Sequence, residues 1–152
     1  MSSQCSSTYS FCMMFQCAID SNELQYNDLP DITFAQRLKK AKLIAGVSQK
    51  KLSKATNLSL STINELEAGY RDNIKISTLN KLLTVLDKDI LCDDYCIFIL
   101  NQKLNIEKLL LKYSVKQLTE LLNIHRSTIE RWRDGKYQIS RKQYELIEKL
   151  KD

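Results

Sequence analysis

Three glycines and a single proline are all that the 152 residues contain. With so few turn formers, and with Leu, Ile and Lys abundant, the chain is expected to be all-helical. Scarce glycine also excludes a glycine-rich phosphate loop. With only one histidine and no paired carboxylates in a plausible pocket, nothing is left to assign as an active site, so no enzyme is expected. No apolar run approaches the roughly 20 residues that a membrane-spanning helix needs. Residues 1–32 contain no Lys or Arg. The cationic start of a signal peptide is therefore missing, and a cytoplasmic protein is expected. Five cysteines in that compartment read as reduced thiols rather than disulfides. Cys92 and Cys96 would share one helix face if a single helix carried both, but without CxxC pairing they read as buried thiols. No metal and no cofactor is expected.

Charge is present but unevenly placed. Residues 1–32 carry Asp20, Glu23, Asp28 and Asp31 without a cation, whereas residues 33–86 carry ten cations against Glu65, Glu67 and Asp72. Residues 87–100 are acidic again, and residues 101–152 return to a net positive charge. Basic segments separated by acidic ones suit a polyanionic partner, although solvated lysine-rich helix faces account for part of the excess.

The two basic segments share one pattern. Ser48 to Gly69 (SQKKLSKATNLSLSTINELEAG) and Ser114 to Gly135 (SVKQLTELLNIHRSTIERWRDG) lie 66 residues apart. Without a gap they match at Ser48/Ser114, Lys50/Lys116, Leu52/Leu118, Asn57/Asn123, Ser61/Ser127, Thr62/Thr128, Ile63/Ile129 and Gly69/Gly135. Such a repeat means one small folding unit used twice. Thr33 and Gln36 form a capping box opening a helix to about Ala45, with Leu38, Ala41 and Ala45 inward and Gly46 as its stop. Ser48 caps a second helix ending near Thr56. Asn57 takes a turn position that needs positive φ. Ser59 caps a third helix, Leu60 to Glu67, closed by Gly69. Ser77 is expected to open a fourth, with Leu79, Leu82, Leu83 and Leu86 at helical spacing. In the second unit Leu104, Leu109 and Tyr113 align with Leu38, Leu43 and Val47. Capping boxes recur at Ser114/Gln117 and Ser140/Gln143. Leu118, Leu122, Ile124, Ile129, Trp132, Tyr144, Ile147 and Leu150 are its expected core. The expected domains are an acidic, poorly ordered lead-in over 1–32, a first bundle over 33–87, a connecting helix over 88–100 that packs the units together, and a second bundle over 101–152.

Two short helices locked at a steep angle need a small residue where they cross, here Ser53 and Thr119, and a left-handed turn residue, here Asn57 and Asn123. Ile63 and Ile129 would anchor the second helix of each pair, freeing its other face for the DNA major groove. Gln49-x-x-Leu52 followed by Ile63-x-x-Leu66-Glu67-x-Gly69-x-Arg71 closely resembles the XRE family of lambda-repressor-like, Cro-like DNA-binding domains, over about residues 33–87. The resemblance implies that Gln49 bonds a DNA phosphate and orients the reading helix. It implies that Leu60, Ser61, Thr62 and Glu65 meet base edges, and that Tyr70, Arg71 and Asn73 clamp phosphates. Lys50 and Asn64 complete this candidate set. Glu67 would pair with Lys42 as a structural strut. Leu60 stands where the family often has a polar reader and can touch only a thymine methyl, and Glu65 can accept only from cytosine N4. Modest base discrimination is therefore expected of this unit.

The second unit matches less closely, with Trp132-Arg133-Asp134-Gly135 in place of Leu-Glu-x-Gly. Lys108 and Arg133 put two like charges where the strut would be. Its candidate contacts are Lys116, Arg126, Ser127, Arg131 and Lys136, with His125 read as a cap residue. Arg126 and Arg131 either read guanine O6 and N7 or bind phosphate; both readings stand at this point. The expected partner is double-stranded DNA, with a possible homodimer and no membrane. Members of the resembled family are mostly transcriptional repressors of prokaryotic mobile elements, or antitoxins repressing their own operons. A repressor is expected, with an antitoxin-like or adaptor module, binding DNA through the first unit only, as the alternative.

Overall fold

The computed structural model describes residues 26–71 and 73–152. Of the loose acidic lead-in expected over 1–32, residues 1–25, with Cys5, Cys12 and Cys17, lie outside them, as does Asp72, whereas the Asp31 and Ile32 carbonyls accept from Arg37. Ten helices and no strand occur among the described residues. They are α1 (Phe34–Ala45), α2 (Gln49–Thr56), α3 (Leu60–Ala68), α4 (Ile76–Leu82), α5 (Lys88–Leu91), α6 (Asp94–Leu100), α7 (Gln102–Lys112), α8 (Val115–Leu122), α9 (Arg126–Arg133) and α10 (Arg141–Lys149).

Local chemistry sets most of the boundaries. Thr33, Ser114 and Ser140 each accept a bond from the backbone three residues on, while Gln36, Gln117 and Gln143 reach back. Ser48 and Ser59 accept the same forward bond at the starts of α2 and α3, with no side chain reaching back. Asn57 and Asn123 hold φ of 54° and 50°, the left-handed geometry that turns α2 into α3 and α8 into α9. The repeat persists in the packing. α1 and α2 lie on α3, and α2 also meets α4; correspondingly α7 and α8 lie on α9, and α8 meets α10. Leu52, Ile63, Leu118 and Ile129 are at most 2% exposed, so α3 and α9 are each pinned by their middle residue.

Several expectations are corrected. Ala45 is exposed, because Leu38 and Ala41 already fill the inner face of α1. α4 begins at Ile76, not at Ser77, and ends before Leu86, which is buried from the following turn. The expected single connecting helix is two: Cys92 ends α5 in extended backbone and Asp93 caps α6. Cys92 and Cys96 therefore do not share a helix, although both are buried. Leu104 is 51% exposed, while Gln102, Ile106 and Leu109 form the inner face of α7. The shift has a polar cause. Gln102 donates to the carbonyls of Trp132 and Tyr137 and accepts from the Ile139 N–H, which turns its own face inward.

The buried apolar side chains form one continuous cluster from Phe34 to Ile147. Arg37 is buried beneath it, donating from Nε to the Leu91 carbonyl and from Nη1 to the Asp31 and Ile32 carbonyls. Its Nη2 stands 3.0 Å from Asp93 Oδ2 as an ion pair without hydrogen-bond alignment. Asp93 also takes Arg141 Nη1 at 2.7 Å. One carboxylate thus ties α1, the start of α6 and α10 together. Burial alone would push its carboxyl up, but bonds from Arg141 and Cys96 and the nearby Arg37 hold it below its ordinary value.

Candidate nucleic-acid interface

Two candidate faces follow from the two anchored helices. On α3, Ile63, Leu66 and Glu67 point inward. Ser61 and Asn64 are exposed, and Leu60 is 37% exposed. Thr62 is half-buried, its hydroxyl 2.8 Å from that of the cap residue Ser59. Glu65 forms a 2.7 Å ion pair with Arg71. The two candidate contacts therefore neutralise each other in the free protein. A phosphate approaching Arg71 would compete with Glu65 for it, so this pair also screens the repulsion that a lone Glu65 would exert.

Gln49, at the start of α2, donates to Glu67 Oε2 at 2.6 Å, and Glu67 Oε1 takes the Lys42 ammonium. The Lys42–Glu67 strut therefore also fixes the side chain of Gln49 beside the reading helix. Lys50 is exposed next to it. After α3, Tyr70 is 83% exposed and free to reach a backbone. Asn73 is placed differently from its neighbours, since its Oδ1 accepts from the Arg141 N–H at 2.9 Å. Only its amide N–H groups are left for a phosphate.

On α9, Ile129 and Trp132 are buried and Arg126, Arg131 and Arg133 are exposed. Arg126 pairs with Glu130 one turn on, at 3.0 Å. Arg131 lies over the Tyr137 ring, 5.3 Å from its centroid, which orients the guanidinium without consuming its donors. His125 caps α9 through Nδ1, which accepts from the Ser127 N–H and lies 2.8 Å from the Ser127 hydroxyl. Ser127 is thereby engaged within the cap. Lys116 is exposed, and Lys136 is exposed with Asp134 at 3.9 Å. Lys108 and Arg133 do not meet as a strained pair, because both are exposed and Arg133 turns to Asp134.

The sequence model of the Helix-turn-helix family matches residues 38–91. That stretch is an XRE-type helix-turn-helix domain. It holds α2 and α3 with their flanking helices, so the first unit is a lambda-repressor-like, sequence-specific DNA-binding domain. No curated protein and no solved structure shows a significant match to the chain. The helix-turn-helix match ends at Leu91, whose carbonyl holds Arg37 of α1, so α5 completes the same bundle. No described helix is long and apolar enough to cross a membrane.

The residues that sequence reasoning missed are those joining the units: Arg37, Asn73 in its bridging role, Asp93, Tyr95, Gln138 and Arg141. Tyr95 donates to the Ile139 carbonyl at 2.8 Å and is stacked by Arg141, 4.5 Å from its ring centroid. Gln138 accepts from the Ile76 N–H at 2.9 Å and donates to the Ile74 carbonyl.

Proposed function

We propose that this protein is a transcriptional repressor of the cytoplasm of prokaryotic cells, controlling a mobile element or its own operon, and that it has no enzymatic activity. Both units would engage double-stranded DNA, the first through Gln49, Ser61, Asn64 and Tyr70, the second through Arg126 and Arg131. The observation that carries the reading is the family match together with the anchoring of α3. Its buried side secures the helix while its polar side faces solvent, the arrangement that major-groove docking requires. Repression would follow from occupancy: a protein seated over a promoter excludes the polymerase.

The test is selection of bound sequences from a random duplex pool, using the full chain. Enrichment of a defined motif supports the reading. An unenriched pool would contradict it, and a motif no longer than one half-site would favour the antitoxin-like or adaptor alternative, in which the first unit alone meets DNA.

A further inference from the structure

The loops that follow the two reading helices cap each other's next helix. α4 has Lys75 at its N-cap, with no side-chain cap bond; the first free N–H, that of Ile76, goes to Gln138 Oε1 of the second unit at 2.9 Å. Conversely, the N–H of Arg141, first in α10, goes to Asn73 Oδ1 of the first unit at 2.9 Å. By the 66-residue offset Gln138 corresponds to Asp72, the immediate neighbour of Asn73. Residue i of one unit thus serves residue j of the other, and the reverse holds one position away. Reciprocal contacts of this kind mark an isologous interface, one generated by a two-fold axis. α6 occupies the junction: it packs on α4, while its Tyr95 and Phe98 rings lie 5.6 and 5.1 Å from that of Tyr144 on α10.

We propose that the chain is an internal pseudodimer. One copy presents α3 and α9 about a local two-fold and binds an inverted repeat of two unlike half-sites at one fixed spacing. The inference rests on the reading above that both units contact DNA. The symmetry of a bound site mirrors that of the protein, so units related by a two-fold read inverted halves. The halves must differ in sequence because the positions of Ser61, Asn64 and Glu65 on α3 are taken by Ser127, Glu130 and Arg131 on α9. The spacing is fixed because the seam is made of buried core and the Arg37–Asp93–Arg141 bridge, with no free linker. Beside the seam lies a cavity of about 420 Å³ lined by Lys75, Lys103 and Lys136 and by no carboxylate. A DNA backbone passing between the half-sites would lie against it.

The experiment uses the intact chain and the duplex that selection yields. Complex mass should give one protein per duplex, on a site whose halves are inverted and unlike. Inserting one base pair between them moves the halves apart by about 3.4 Å and about 35°. That should lower affinity at least roughly tenfold, since the half that loses register forfeits more than the contacts of one base pair. Gln138→Ala should reduce this spacing penalty several-fold while each half keeps its preferred bases. Two copies on a palindrome of identical halves, a direct repeat, or indifference of the wild-type chain to spacing would each overturn the proposal. These results differ from an absence of duplex binding, which would remove the reading beneath it and the proposal together. If Gln138→Ala does not fold, the wild-type spacing series still decides.

Discussion

Glu67 shows how a residue that reads nothing can matter to reading. Its side chain is 9% exposed and accepts from both Lys42 and Gln49. Removing it by Glu67→Ala leaves a largely buried ammonium unpaired and frees Gln49 from its fixed position. The substitution should destabilise the protein by about 3 kcal/mol, visible as a lower urea midpoint. Arg131 is the contrasting case: exposed, oriented by Tyr137 and bound to no carboxylate among the described residues. If it pairs with a guanine, Arg131→Ala should cost about 1–3 kcal/mol on the selected site and relax one position of it. Equal weakening on all sequences, with the salt slope lower by about one, would make it a phosphate contact instead. Equilibrium titration of matched and scrambled duplexes separates the two.

At the scale of elements, the angle between α2 and α3 depends on Asn57 at φ 54°. Asn57→Ala should cost about 1 kcal/mol, since a Cβ strains that backbone without the local bonding of Asn, whereas Asn57→Gly should be near neutral. Thermal melts of the two variants check this directly. Elements of this kind were legible in the sequence because their signals are local. Thr33, Ser48, Ser59, Ser114 and Ser140 declare helix starts within three residues of themselves, and the turn asparagines declare their own φ. The inner face of α7 was not legible. The repeat alignment put Leu104 inward, but Gln102 binds carbonyls 30 and 35 residues away, and nothing near Gln102 in the chain announces them. The candidate site divides in the same way. Gln49, Ser61 and Arg131 were named from pattern, and the structure places Gln49 beside α3, and Ser61 and Arg131 on exposed faces of α3 and α9. The pairing of Glu65 with Arg71 and the commitment of Asn73 to Arg141 depend on where loops fold, and polar loop residues look alike in sequence whether solvated or bonded.

For the whole molecule, the seam between the units has a titratable centre in Asp93. Its folded carboxyl lies below its ordinary value, held there by Arg141, Cys96 and Arg37 against the opposing effect of burial. Its stabilisation is therefore present above the unfolded value of about 4 and is lost as pH falls through the lower folded one. Stability followed by circular dichroism should decline on acidification through that range. Asp93→Asn should be less stable at neutral pH and show a shallower acid decline. The acidity of the 87–100 segment is thus not only a counterweight to basic neighbours: Asp93 within it spans the junction. The charge pattern around the junction, basic on the reading units, leads to the measurement that tests DNA binding most directly. Affinity for the selected duplex should be measured across a series of salt concentrations. A linear fall of log affinity with log salt, with a slope of about −0.9 for each phosphate neutralised and several phosphates in all, is the predicted result. An affinity that scarcely changes with salt would contradict it.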